Sequence, residues 1–251
     1  MATVDRHELE LFRAMADLRP SRIESQPVIR DLLLVALTFG SGAVDAIAFL
    51  GLDKVFSAFM TGNLAFLGMG LAGSSDPDLP RVAVALAAFA AGVFVAVRIV
   101  RPTRGVGIWP QRVSISLGVA ALAQAVFLVG WFITSGHPST AAGGLLIGLS
   151  ALAMGMQSAA VMSLDVKGVF TTAATATVIM LISDEAGWSQ SAAERRRFAA
   201  VLATLIIGAA AGAFLLFHAR AYAPVIPLVA TILVVAGASL ALQPDTRAKS
   251  R

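Results

Sequence analysis

Long apolar runs alternate along the chain with short clusters of charge. A helix crossing the roughly 30 Å hydrocarbon core of a bilayer needs about 20 mostly apolar residues. Six runs meet that requirement: Leu32–Leu50, Val82–Val100, Val113–Thr134, Ala141–Met162, Phe198–Phe217 and Ala223–Leu242. Two more, Val55–Ala72 and Val169–Ser183, are shorter or more polar. All are continuous and rich in Ala and Leu, without the short-period alternation of an outer-membrane strand. The pattern predicts an all-α polytopic integral membrane protein, with one transmembrane domain over 31–242. Residues 1–30 carry five Arg and no long apolar run. They read as a cytoplasmic tail rather than a secretory signal. Val4, Leu11, Met15 and Leu18 fall near one helical face, so an interfacial amphipathic helix is the other reading. Residues 243–251 form a second short tail.

Composition narrows the class. The chain is 57% apolar and 14% charged, with a mean hydropathy of +0.81. Soluble domains carry about 25% charged residues, and disorder requires low hydrophobicity. Cysteine is absent, which excludes disulfides, thiolate metal sites and a cysteine nucleophile. The formal charge is +4, but the basic residues sit in clusters between apolar runs instead of lining one soluble face. The expected partner is therefore a lipid bilayer, not nucleic acid. His7, His137 and His218 lie in the tail, in a loop and at a helix end, and no metalloprotease or serine-hydrolase motif is present. No enzyme activity, metal or cofactor is expected. A dyad of Ser150 and His218 is the weakest of the readings considered.

The chain also resembles itself. Leu52-Asp53-Lys54-Val55-Phe56 precedes Thr61-Gly62-Asn63-Leu64, and Leu164-Asp165-Val166-Lys167-Gly168-Val169-Phe170 precedes Thr175-Ala176-Thr177-Val178. Phe56 to Phe170 and Thr61 to Thr175 share an offset of 114. The repeat halves are predicted at about 31–134 and 141–242. Small residues at G-x-x-x-G spacing, Gly144/Gly148 and Gly208/Gly212, predict close packing within the chain, with a homodimer as the alternative.

Charge placement bears on parity. If all eight segments cross, the four Arg between residues 98 and 112 fall on the external side. If Val55–Ala72 and Val169–Ser183 dip in and return, sixteen Lys and Arg, Lys167 among them, are cytoplasmic; Arg81, Arg220 and Lys54 are external. The positive-inside rule favours the second arrangement. It has six crossings in two inverted halves, with both termini cytoplasmic in the inner membrane. Such repeats with broken helices recur in transporters. The breaks are expected at Thr61-Gly62-Asn63 and Thr175-Ala176-Thr177, where Gly62 supplies backbone freedom and the polar side chains satisfy freed backbone groups. Breaks in the preceding helices, or eight crossings in a parallel repeat, are the competing arrangements.

At these residues a family resemblance emerges. Gly42-Ala43-Val44-Asp45, Phe49-Leu50-Gly51 and Met60-Thr61-Gly62-Asn63-Leu64, with Gly155-Met156-Gln157-Ser158-Ala159-Ala160 and Thr171-Thr172-Ala173-Ala174-Thr175, resemble the signatures of the YoaK-like family. These are bacterial inner-membrane proteins defined by a domain of unknown function. The resemblance covers roughly residues 30–242. The second signature departs from the pattern at Ser158, Met162-Ser163 and Ala176. The resemblance implies a multi-helix bacterial membrane protein and carries no activity with it.

Asp45 is the one carboxylate deep inside a clear span. A charge at the bilayer centre costs roughly 2.5–3.5 kcal/mol on translocon scales, so it must be paired, neutral or facing a cavity. With Thr61, Gly62, Asn63, Gln157, Ser158, Thr175 and Thr177 it forms the predicted solute or ion site. At the offset of 114 Asp45 faces Ala159, so the acid is not duplicated. Asp53/Lys54 and Asp165/Lys167, at helix ends, are candidate gate pairs. The expected function is a small-solute transporter or permease with alternating access. The alternatives are a channel-like pore with two opposed re-entrant segments, and a scaffold or sensor using the basic tail.

Overall fold

The computed structural model describes residues 22–75, 78–103, 107–166, 174–185 and 191–242. They form eight helices: α1 (Arg22–Gly51), α2 (Met60–Leu71), α3 (Leu79–Val100), α4 (Gln111–Ile133), α5 (Thr140–Met162), α6 (Ala174–Glu185), α7 (Ala192–His218) and α8 (Val225–Ala241). Six of them, all except α2 and α6, are long and apolar enough to cross a membrane. The protein is an all-α polytopic membrane protein. At 12 residues, α2 extends only about 18 Å, well short of the core thickness; of α6, 12 residues are described.

The start of α1 differs from expectation. Hydropathy placed it at residue 32, but the chain is already helical at Arg22 and stays so through Pro27. Arg30 and Asp31, which end the apolar window, belong to the helix. Asp31 accepts hydrogen bonds from Arg30 (2.9 Å) and from Arg197 of α7 (2.9 Å), so the charges are paired with each other.

Polar links between helix ends fix the helix directions. Arg81, in the first turn of α3, pairs with Asp53, just past the end of α1, and its Nη2 donates to the Thr140 carbonyl at the start of α5 (3.2 Å). At the same end, Trp131 Nε1 donates to the Arg220 carbonyl (2.8 Å) and Arg220 Nε donates to the Gly136 carbonyl (2.6 Å). The opposite end carries the Arg197–Asp31 pair and an Arg112 bond to the Ile99 carbonyl (3.2 Å). It follows that α1 and α5 run in opposite directions. Among the described residues, Lys54, Arg81 and Arg220 lie at the first end; Arg30, Arg98, Arg101, Arg112 and Arg195–Arg197 lie at the second.

The packing pairs are matched. The main partner of α1 is α7, and that of α5 is α3; α8 then packs on α1, α4 on α5, and α2 and α6 on α3 and α7 respectively. Both principal crossings need glycine. A Cβ on Gly42 or Gly208 would collide with backbone carbonyls of the facing helix (Leu205 and Phe39), and one on Gly92 or Gly155 with those of Leu152 and Phe89. Gly212 likewise meets the Ala43 backbone, so the Gly208/Gly212 spacing serves packing within the chain. Gly144 faces open space and Gly148 touches only Val84, so that spacing makes no close backbone crossing.

Candidate functional site

The site is built where α1 gives way to α2. Helix α1 ends in two residues with left-handed backbone, Asp53 and Lys54 (φ 61° each), and the Lys54 N–H closes the turn on the Phe49 carbonyl (2.9 Å). The matched position in the other half, Asp165, is also left-handed (φ 52°). Residues 55–59 then run without helical structure back along α1 before α2 begins at Met60. Asp45 lies six residues before the end of α1, about 9 Å deeper along the helix.

Two side chains satisfy the unwound backbone. Asp45 Oδ1 accepts from the Ser57 N–H (2.9 Å) and the Ala58 N–H (2.7 Å), and the Phe59 amide points at the same carboxyl group. Asn63 Oδ1 accepts from the Phe56 N–H (3.0 Å), while its Nδ2 donates to the Phe56 carbonyl (2.7 Å). Ser57 Oγ donates to Ser150 Oγ of α5 (2.7 Å), which ties the loop to the other half of the chain. An unpaired buried polar group costs about 1–3 kcal/mol, so these bonds make a non-helical stretch tolerable within the bundle. The carboxylate also faces the positive end of the α2 dipole.

A cavity of about 420 Å³ opens beside Asp45, between α1 and α7. Its walls include Ser41, Phe49, Phe56, Phe59 and Leu205. The Phe49 and Phe56 rings are stacked (centroids 4.8 Å apart), and Phe59 meets Phe56 edge-on (5.2 Å). Ser41 is 1% exposed, and its Oγ has no hydrogen-bond partner among the described residues. Nor does any basic side chain of a described residue pair with Asp45.

The structure redistributes the predicted residues. The break falls at 52–59, not at Thr61-Gly62-Asn63, because Asp45 and Asn63 supply the backbone partners from outside the loop. Thr61, Gly62 and Asn63 are helical. Thr61 is exposed, whereas Asn63 is fully buried. Gly62 makes room: a Cβ there would press on the Phe59 and Phe56 rings (2.7 and 3.1 Å). Thr175 and Thr177 also sit within a helix, α6, the first exposed and the second buried. Thr171-Thr172-Ala173 and Lys167 lie outside the described residues. Gln157 Nε2 donates to the Leu37 carbonyl (3.4 Å), and Ser158 Oγ bonds the Met154 carbonyl of its own helix (2.7 Å). Ser158 lines a second cavity, about 460 Å³, between α3 and α5. Aligned on Gly42 and Gly155, the glycines of the two close crossings, Ser158 rather than Ala159 stands opposite Asp45; the acid is still single. Asp53 pairs with Arg81 across the bundle, and Asp165 is exposed. Ser150 bonds Ser57, and His218 Nδ1 lies against the Phe214 carbonyl (2.9 Å), so they form no dyad. Sequence reasoning missed Ser41, Ser57 and the phenylalanine cluster, and it set Ser150 beside His218 instead of Ser57. Only Ser41 had a signal, since it lies one helical turn from Asp45.

The family described as Protein of unknown function (DUF1275) matches residues 33–237, from α1 into α8. The chain belongs to this family. The match takes in Asp45, the unwound loop and Asn63. The chain is also similar to the UPF0700 transmembrane protein YoaK of Bacillus subtilis (strain 168), at 32% identity over 158 residues, covering 63% of this chain and 68% of the relative. No solved structure matches.

Proposed function

We propose that this chain is a non-enzymatic small-solute transporter or permease of the cytoplasmic membrane, working by alternating access around Asp45. The observation that carries the reading is the carboxylate itself. It holds an unwound loop by its backbone amides and borders an apolar cavity, with no basic side chain of a described residue paired to it. Helix ends and non-helical backbone around a mid-membrane ligand site are a recurring transporter construction. Two further features support it. The matched packing of α1 on α7 and α5 on α3, with α1 and α5 antiparallel, fits an inverted repeat whose halves rock against each other. The excess of Arg at one end of the bundle fits a cytoplasmic location for both termini. Asp45, Ser41 and Asn63 form the core of the site in this reading, with Thr61 outside it.

A channel-like pore is the second reading, favoured by α2, a short helix, and α6, which pack on matched neighbours in the two halves. Flux measurements separate the two. Purified full-length protein in sealed vesicles is offered a panel of labelled cationic, neutral and anionic solutes. Saturable uptake with counterflow supports the transporter. Linear flux without counterflow supports the pore, and no flux of any solute contradicts both.

A further inference from the structure

We infer that the cavity beside Asp45 is a binding site for a small organic monocation, a protonated amine carried on an apolar body. The inference rests on the transporter reading for its physiological meaning and on separate observations for its chemistry. Asp45 brings a carboxylate with no cation from a described residue beside it, and an uncompensated charge in a low-dielectric site is costly. A ligand ammonium group supplies the counter-charge, where a neutral or anionic ligand does not.

The second observation is Ser41. It is buried, lines the cavity, and its hydroxyl has no hydrogen-bond partner among the described residues. Buried hydroxyls are nearly always hydrogen-bonded. One helical turn separates Ser41 from Asp45 on the same face of α1, so the two groups can contact one bound molecule. The third is the ring cluster of Phe49, Phe56 and Phe59, which lines the same space. Aromatic rings pack against apolar bodies. The fourth is access. Leu50 and Phe59 are 44% and 42% exposed and line the cavity, so a lipid-partitioned amine reaches Asp45 from the hydrocarbon region. The volume, about 420 Å³, lies within the usual range for small-ligand sites, roughly 300–1,000 Å³.

The test uses three probes of one shape and different charge: 2-phenylethylamine, 2-phenylethanol and phenylacetate. Equilibrium binding is measured on the purified full-length protein in lipid nanodiscs. The amine is expected to bind, the alcohol at least about tenfold more weakly, and the acid not at all. Asp45→Asn keeps an oxygen acceptor for the Ser57 and Ala58 amides and removes the charge. It is expected to weaken amine binding at least about tenfold while the unfolding temperature stays within a few degrees. Ser41→Ala leaves that charge in place, and should weaken binding by a few-fold. Thr61→Ala, on the exposed face of α2, should leave binding unchanged. If Asp45→Asn does not fold, Ala209→Phe, which fills the cavity from α7, must abolish amine binding in a folded protein.

Amine and alcohol binding with equal affinity, or an amine affinity indifferent to both Asp45→Asn and Ala209→Phe, overturns the inference. So does absence of amine binding in protein that transports another solute, which leaves the transporter reading standing. Charge-selective binding without flux upholds the site and contradicts the transporter reading.

Discussion

Asp53, in the turn that ends α1, pairs with Arg81 in the first turn of α3. The chain between them contains α2 and the unwound loop, and the pair brings both ends of that segment to one end of the bundle. A segment crossing the membrane between these residues would hold them a bilayer apart. The pair therefore expresses in side chains the parity that the basic clusters imply in sequence.

Labelling checks this parity directly, because the chain has no native cysteine. Single cysteines in place of Lys54, His137 and Ala221 should react with a membrane-impermeant thiol reagent from one side. Those in place of Arg101 and Arg195 should react from the other. Labelling of positions 54 and 101 from the same side would contradict the helix directions.

The ion pair itself should be modestly stabilising. Arg81 is buried (6% exposed), but Asp53 is largely open to solvent. Asp53→Ala is expected to cost about 1 kcal/mol, since exposure screens the pair. Combining Asp53→Arg with Arg81→Asp should recover part of the loss relative to either single change. Thermal unfolding in nanodiscs reads both effects, and additivity of the two single changes would show that the pair does not couple.

Asn63 should matter more than its neighbours in the same motif. Asn63→Ala leaves the Phe56 N–H and carbonyl without their side-chain partner, at about 1–3 kcal/mol per unsatisfied group. Thr61→Ala is expected within about 0.5 kcal/mol of the parent, as for other exposed substitutions. Equal loss of stability in both variants would mean that the loop is not held as described.

The helix crossings make a contrast among glycines. Gly42→Ala and Gly155→Ala place a methyl group against facing carbonyls and should destabilise the fold strongly, while Gly144→Ala meets open space and should be neutral or slightly stabilising. Expression level and unfolding temperature of the three variants test this together.

The sequence disclosed much of this fold and less of its site. The six long helices are visible because each needs a long apolar run and little else. The short span of α2 is visible because the charge clusters do not tolerate an extra crossing. Position within that segment was not visible. Thr61, Gly62 and Asn63 look like a break, yet the unwound backbone precedes them, because its partners come from Asp45 on another helix and from Asn63 reaching back. Local composition does not reveal partners at such separations. The extension of α1 past Asp31 was hidden for the same reason, since Arg197 lies 166 residues away. Phe49, Phe56 and Phe59 gather around Asp45, but in an apolar chain they resemble any other packing residues. Ser41 became notable only once its hydroxyl proved to be without a partner among the described residues beside the cavity.

The most direct test of the central claim is solute uptake by reconstituted vesicles containing the parent protein, Asp45→Asn or Thr61→Ala, compared at equal protein density. The account predicts saturable uptake and counterflow in the parent and in Thr61→Ala, with at least a tenfold loss in Asp45→Asn at unchanged folding. Uptake in Asp45→Asn equal to that of the parent would contradict it.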